Sequence, residues 1–160
     1  MNRGNCFCGK VITTIPDSEK MKTHTTCHLV KGEDLNHHGT LFAGRCAEWT
    51  VESGFIAVAY ELDPHNIVCL QLHGLEILHP VRAGHIIELK SRIVRTGRTT
   101  ITVYIEVHDC RDDKVLVSDA FITFCYVDEN TKAQPHGLTF VAENEREREL
   151  NEKANELLKK

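Results

Sequence analysis

EDLNHHGTLFAGRCAEWTVESGFIAVA, residues 33 to 59, opens as a polar turn and runs on as one apolar helix. Asp34 and Asn36 are turn and cap residues, and Gly39 supplies a permissive backbone just before the helix. From Thr40 nothing breaks a helix for about twenty residues. Leu41, Phe42, Ala43, Cys46, Ala47, Trp49, Val51, Phe55, Ile56 and Val58 spread around most of its circumference, which predicts a buried helix. Yet Arg45, Glu48 and Glu52 share one face at i, i+3 and i+7, and charges seldom lie buried without partners. The plain reading is an ion pair, Arg45 with Glu48 or with Glu52, along one wet edge. Against it stand the apolar flanks and the feeding turn, where Asn36, His37 and His38 crowd hydrogen-bonding groups beside Gly39.

Outward from this helix the chain reads as strands. Thr23 to Val30 is rich in β-branched residues and reads as one strand; residues 1–22 have no clear period and read as an N-terminal arm. The helix should stop near Asp63-Pro64, because proline disfavours helical geometry just before it. Four strand-like runs follow: Asn66 to Leu78, His85 to Arg95, Thr99 to His108, and Lys114 to Val127. In the second, Ile87, Leu89 and Ile93 oppose Glu88, Lys90 and Arg92. In the third, Ile101, Val103, Ile105 and Val107 point inward and Thr100, Thr102, Tyr104 and Glu106 outward. Residues 23–128 thus form one domain, and 129–160 a polar segment ending in a helix over Glu143 to Lys160. Leu150, Ala154 and Leu157 give that helix only a narrow apolar stripe, which suits a peripheral element.

The bulk numbers agree with one domain of 160 residues with a sizeable core. A formal net charge of -4 gives no electrostatic case for nucleic acid or a membrane surface. No apolar run reaches spanning length, and the first residues lack the apolar stretch of a signal peptide. The seven cysteines lie mostly within apolar segments, as reduced thiols of a cytoplasmic protein do. Cys6 and Cys8 form a C-x-C with no second ligand pair at zinc spacing, and the ten histidines form no metal motif, so no metal is expected.

The element order is strand, long helix, then four consecutive antiparallel strands: an α+β layer, with one sheet wrapped around one helix. The helix is too apolar for one sheet to cover, so a second copy of the domain is expected against it.

This order resembles the hotdog-fold acyl-CoA thioesterases over about Thr25 to Val127. The specific part is Glu33-Asp34-Leu35-Asn36 followed by Gly39-Thr40-Leu41-Phe42-Ala43-Gly44, which is similar to the family's turn and helix start. Leu78-His79-Pro80-Val81 with Gly84 resembles the family's third-strand entry. Arg95-Thr96-Gly97-Arg98-Thr99-Thr100 resembles its hairpin near coenzyme A. The resemblance implies a dimer or a trimer of dimers and an active site between subunits. It implies metal-free hydrolysis of an acyl-CoA thioester, with coenzyme A entering only as part of the substrate. Asn36 falls on an active-site asparagine, and Gly44 on the second glycine of a pair whose first is Ala43 here. Val51 stands where many members carry the catalytic acid.

Thioester hydrolysis needs a group that polarises the carbonyl and a carboxylate that activates water or attacks. The amides at Gly44 could serve as an oxyanion hole. Glu52 is the first candidate acid and Glu48 the second, with an Arg45 ion pair as the plain role for Glu48. A helix places Glu52 roughly 12 Å beyond Gly44, so the two would meet one thioester only across a subunit boundary. His37 and His38 are candidates for substrate hydrogen bonds or simply turn polarity. Arg95, Gly97, Arg98 and Thr99 are candidates for the coenzyme A phosphates. Two alternatives stay open. The dehydratase motifs of related hotdog enzymes are not found. A non-catalytic acyl-CoA binding or sensing protein fits Val51 better.

Overall fold

A computed structural model describes residues 22–159. The arm assigned to 1–22, with Cys6 and Cys8, lies outside them but for its last residue. Six strands form one antiparallel sheet in the order β1-β4-β5-β6-β2, with the short β3 also on β6. They are β1 (His24–Leu29), β2 (Ile67–His73), β3 (Glu76–Ile77), β4 (Ile86–Thr96), β5 (Thr100–Asp109) and β6 (Lys114–Tyr126). Helix α1 (Ala43–Ala59) packs on all of them except β3, and α2 (Glu145–Leu157) packs on β4 from the other side.

The inward face of α1 is Cys46, Trp49, Thr50, Ser53, Gly54, Ala57 and Val58, all buried. They meet the inward residues of β4, β5 and β6, among them Leu89, Ile105, Ile122 and Phe124, each fully buried. Gly54 marks the closest approach. A Cβ there would stand 3.3 Å from Ile122 Cδ1 and 3.4 Å from Phe124, so an added methyl needs the end of Ile122 to give by a few tenths of an ångström. Beside it the Ser53 and Ser91 hydroxyls bond at 2.6 Å and satisfy each other in the dry interface. The Cys46 thiol is buried in the same core, and burial pushes its pKa up to about 11, which keeps it an inert thiol.

Four expectations change. The helix starts at Ala43, not Thr40, because residues 35–41 close first into a small hairpin with Leu35 bridging Leu41. It ends at Ala59, before Asp63, whose carboxylate instead caps the short 3-10 turn Pro64–Asn66 by accepting the His65 amide. The run from Asn66 to Leu78 is two strands, since Gly74 at φ +75° turns the chain between them. The alternation of β5 holds for its inward face, but Thr102 and Tyr104 on the outward face are buried as well.

Thr102 pairs with the Thr123 hydroxyl at 3.3 Å, and the burial of Tyr104 comes from α2. Leu150 and Ala154 are fully buried with Val94, Tyr104 and Phe121, a second apolar cluster on the outer face of the sheet. The narrow stripe therefore anchors a core of its own. A register shift between Ile93 and Arg95 makes this possible. The Val94 carbonyl accepts from Asn151 Nδ2 at 2.7 Å, and Arg95 Nε donates to Asn155 Oδ1 at 2.7 Å. Among the described residues no helix is long and apolar enough to cross a membrane. Cys27, Cys46, Cys69, Cys110 and Cys125 are free, as expected.

Leu150→Ala should cost about 2–5 kcal/mol, the usual range for an emptied apolar site. Urea unfolding followed by circular dichroism reads it; a change below about 0.5 kcal/mol would mean that α2 contributes nothing to the fold.

Candidate active site

The turn before α1 is built on two side chains. Asp34 is buried; its Oδ2 accepts the Lys31 amide at 2.8 Å and its Oδ1 faces Arg45 Nε at 3.2 Å. Its carbonyl accepts the Phe42 amide at 2.8 Å, so one residue ties the start of the turn to its end and to the helix. Asn36 Oδ1 accepts the His38 amide at 2.9 Å and the Thr40 amide at 3.3 Å, and its Nδ2 donates to Thr40 Oγ1 at 3.2 Å. The two backbone donors fix which end of the carboxamide is oxygen and leave its second Nδ2 hydrogen uncommitted. Gly39 takes φ +73° at the tip, where the exposed His37 and His38 rings lie 3.9 Å apart, tilted by 43°. Leu41 N donates to the Val81 carbonyl at 2.7 Å, which holds this hairpin against the chain entering β4.

Helix α1 then begins without a side-chain cap. Phe42 is the N-cap and offers no acceptor, and the first turn holds no acid. The amides of Ala43, Gly44 and Arg45 are therefore left at the positive end of a helix dipole. Gly44 allows the Phe42 ring to lie across this turn: a Cβ would come within 2.4 Å of it. Two clefts flank the turn. One, of about 230 Å³, is lined by Glu33, Asp34, Leu35, Phe42, Gly44, Arg45 and Glu48. The other, of about 330 Å³, runs between Asn36, Thr40 and Ala43 on one wall and His79, Pro80, Val81 and Leu116 on the other.

The charged seam resolves as the plain reading had it for Glu48, which pairs with Arg45 Nη1 at 2.6 Å. Glu52 is exposed and has no partner among the described residues. Val51 is half-buried and packs against the core.

Asn36, His37, His38, Gly44 and Glu48 thus gather around the helix start, and the β4–β5 hairpin does not. Strand β4 leaves the neighbourhood of that start at Ile86 and reaches the hairpin after Thr96, which at about 3.3 Å per residue is roughly 30 Å away. There Arg98 is exposed, while Arg95 is half-buried under α2 with its Nη1 buried and unpartnered. The Thr99 and Arg98 carbonyls accept the Tyr126 and His136 amides, and His136 Nε2 is a second buried nitrogen without a partner. Gly97 N donates to the Thr100 carbonyl at 2.7 Å and closes the turn.

Sequence reasoning missed a cluster at the near end of the sheet. Asp109, the last residue of β5, is fully buried; its Oδ2 accepts His85 Nδ1 at 2.8 Å and lies 3.7 Å from His79 Nε2. Burial alone would raise the Asp109 pKa. The His85 hydrogen bond and the backbone amides of Arg111 and Asp112 outweigh it and hold the carboxyl below its ordinary value. The ligand atoms of His85, Asp109 and the exposed Asp112 lie within 4.8 Å of one another. The His85–Asp109 hydrogen bond already closes that group without an ion. The only signal in the sequence was a histidine before Pro80 and an aspartate ending a strand, thirty positions apart, which no spacing rule connects.

Known proteins share this fold. The thioesterase superfamily matches residues 38–116, from the turn to the beginning of β6. The acyl-CoA thioester hydrolase YciA of Salmonella typhimurium is 29% identical over 79 residues, 49% of this chain and 59% of that protein. The chain thus spans less than two thirds of that relative's length. Among solved structures, the acyl-CoA hydrolase of Staphylococcus aureus, in complex with butyryl coenzyme A and coenzyme A, superposes with a TM-score of 0.73 at 17% identity, covering 86% of this chain and 82% of that one. An apo-hexameric acyl-CoA thioesterase gives 0.74 at 23% identity, covering 86% and 88%. The resemblance read from the sequence is borne out, and the fold is the hotdog fold.

Asp34→Ala should lower stability by about 1–3 kcal/mol, because the Lys31 amide loses its acceptor and the turn loses its tie to Arg45. Glu48→Gln, removing only the exposed end of the seam, should leave the urea midpoint almost unmoved. Equal effects of the two changes would show that Asp34 does not organise the turn.

Proposed function

We propose, from the match of residues 38–116 to the thioesterase superfamily and from the uncapped start of α1, that this chain hydrolyses the thioester of an acyl-coenzyme A to the free acid and coenzyme A. The observation that carries this is the first turn of α1. Its free amides face clefts lined by Asn36 and Gly44, where a thioester carbonyl would find donors for the negative charge it develops in the transition state. Asn36 holds the hairpin rigid and offers one remaining N–H to the same carbonyl. His37 and His38 stand at the rim, in reach of the substrate's amide-rich arm.

Arg98 and the unpartnered Nη1 of Arg95 supply positive charge for phosphate at the far hairpin, with Gly97 and Thr99 shaping its backbone. The hairpin and the helix start lie at opposite ends of one sheet. A single substrate therefore bridges them only between copies of the chain, and we take the working protein to be a homo-oligomer, dimer or trimer of dimers. The outer side of α1 fits this: Val51, Phe55 and Ala59 are only partly buried by their own chain. Glu52, exposed on that side, could reach a second copy's helix start. The free thiols suit a cytoplasmic, reducing setting.

Val51 is the one observation that favours binding without hydrolysis. Thiol release from a panel of short-, medium- and long-chain acyl-CoA esters separates the readings. Turnover of at least one ester, with kcat reduced about tenfold or more by Asn36→Ala, is the expected result. Tight binding of acyl-CoA without any thiol release would leave the sensor in its place.

A further inference from the structure

We propose that His79, held by the buried carboxylate of Asp109, is the general base of this site and stands in for the helix acid that Val51 replaces. The inference rests on the thioesterase reading above and adds to it the group that activates water.

The helix itself supplies no ready base. Glu48 is tied to Arg45 at 2.6 Å, and Val51 is apolar. Glu52 is roughly 12 Å along the axis from Gly44. The wall opposite the helix start does supply one. His79 lines the 330 Å³ cleft together with Asn36, Thr40 and Ala43. Its Nε2 is buried and makes no hydrogen bond. A buried polar atom left unsatisfied is costly and needs a reason. The atom nearest to it in charge is Asp109 Oδ2, 3.7 Å away. Catalytic hydrogen bonds are often this long in an empty site and tighten when substrate is bound.

Asp109 is suited to the positioning role. It is fully buried, its hydrogen bonds to His85 and to the Arg111 and Asp112 amides hold it ionised against the opposing effect of burial, and His85 Nδ1 fixes the same oxygen at 2.8 Å. A carboxylate so fixed selects the tautomer with the proton on His79 Nε2 and stabilises the imidazolium once it forms, which leaves Nδ1 as the free base.

The chemistry balances with water as the only co-reactant. Nδ1 takes a proton from water as its oxygen attacks the thioester carbon, and the amides at Ala43, Gly44 and Arg45 hold the resulting oxyanion. The carbon–sulfur bond then breaks. The coenzyme A thiolate leaves and receives the proton from the imidazolium, which returns His79 to its starting state.

The test compares variants on whichever acyl-CoA the wild type turns over; no turnover by wild type is a failure of the thioesterase reading and is seen before any variant is made. His79→Gln should lower kcat at least about a hundredfold with KM little changed, the scale of a lost general base. In His79→Ala, added imidazole should restore part of the rate. That rescue separates a lost base from a lost fold. Near-normal turnover in His79→Gln, or no gain of rate when imidazole is added to folded His79→Ala, would overturn the proposal.

Discussion

The structure turns on how closely α1 can lie against its sheet. Gly54 lies at that contact, where an added Cβ would stand 3.3 Å from Ile122, 3.4 Å from Phe124 and 3.5 Å from Ile105. With the helix seated there, the Ser53 and Ser91 hydroxyls meet at 2.6 Å, and Cys46, Ala57 and Val58 lose their last contact with water. The small residues therefore fix the height of the helix and the large ones fill what remains. The same seating decides where the helix begins. Its first turn lands beside Val81 and Leu116, at the end of the sheet where β5 stops and β6 begins, and the cleft between them follows from that placement.

Much of this was legible in the sequence because it is local. The apolar run after Gly39, the inward faces of β4 and β5, and the proline before the third segment all depend on residues a few positions apart. What failed were features settled at a distance. Thr40 looked helical by propensity, but its hydroxyl and amide are held by Asn36, and the hairpin wins over the first helical turn. Tyr104 looked solvent-facing because nothing near it in sequence covers it; its cover is Leu150, more than forty residues on. The register shift at Val94, which aims that residue at α2, leaves no trace in composition.

The site divides the same way. Asn36 and Gly44 were found from a short motif, and the Arg45–Glu48 pair from helical spacing. Asp34 was read as a turn residue, and its burial and double tie were not visible, because they depend on how the hairpin folds back onto the helix. His79 and Asp109 were invisible as a pair. They meet only because β4 and β5 are antiparallel neighbours in a register that sets Asp109 opposite Ile87 and so beside His85. The register of one sheet thus creates a titratable cluster from three residues that are unremarkable in the chain.

A buried aspartate at a strand end is an expensive feature that needs a compensating cause. The His85 hydrogen bond and two backbone amides are enough to keep Asp109 ionised. They account for the carboxylate but not for His79, whose nitrogen faces the same oxygen and gains no hydrogen bond from it. If the cluster existed only to close the turn after β5, one histidine would do, and an apolar side chain at position 79 would avoid the orphaned nitrogen. The cost at His79 is explained if its ring is poised for a partner that arrives in the cleft. Across that cleft stand the polar side chains of Asn36 and Thr40 and the start of α1, the place where a carbonyl would be polarised.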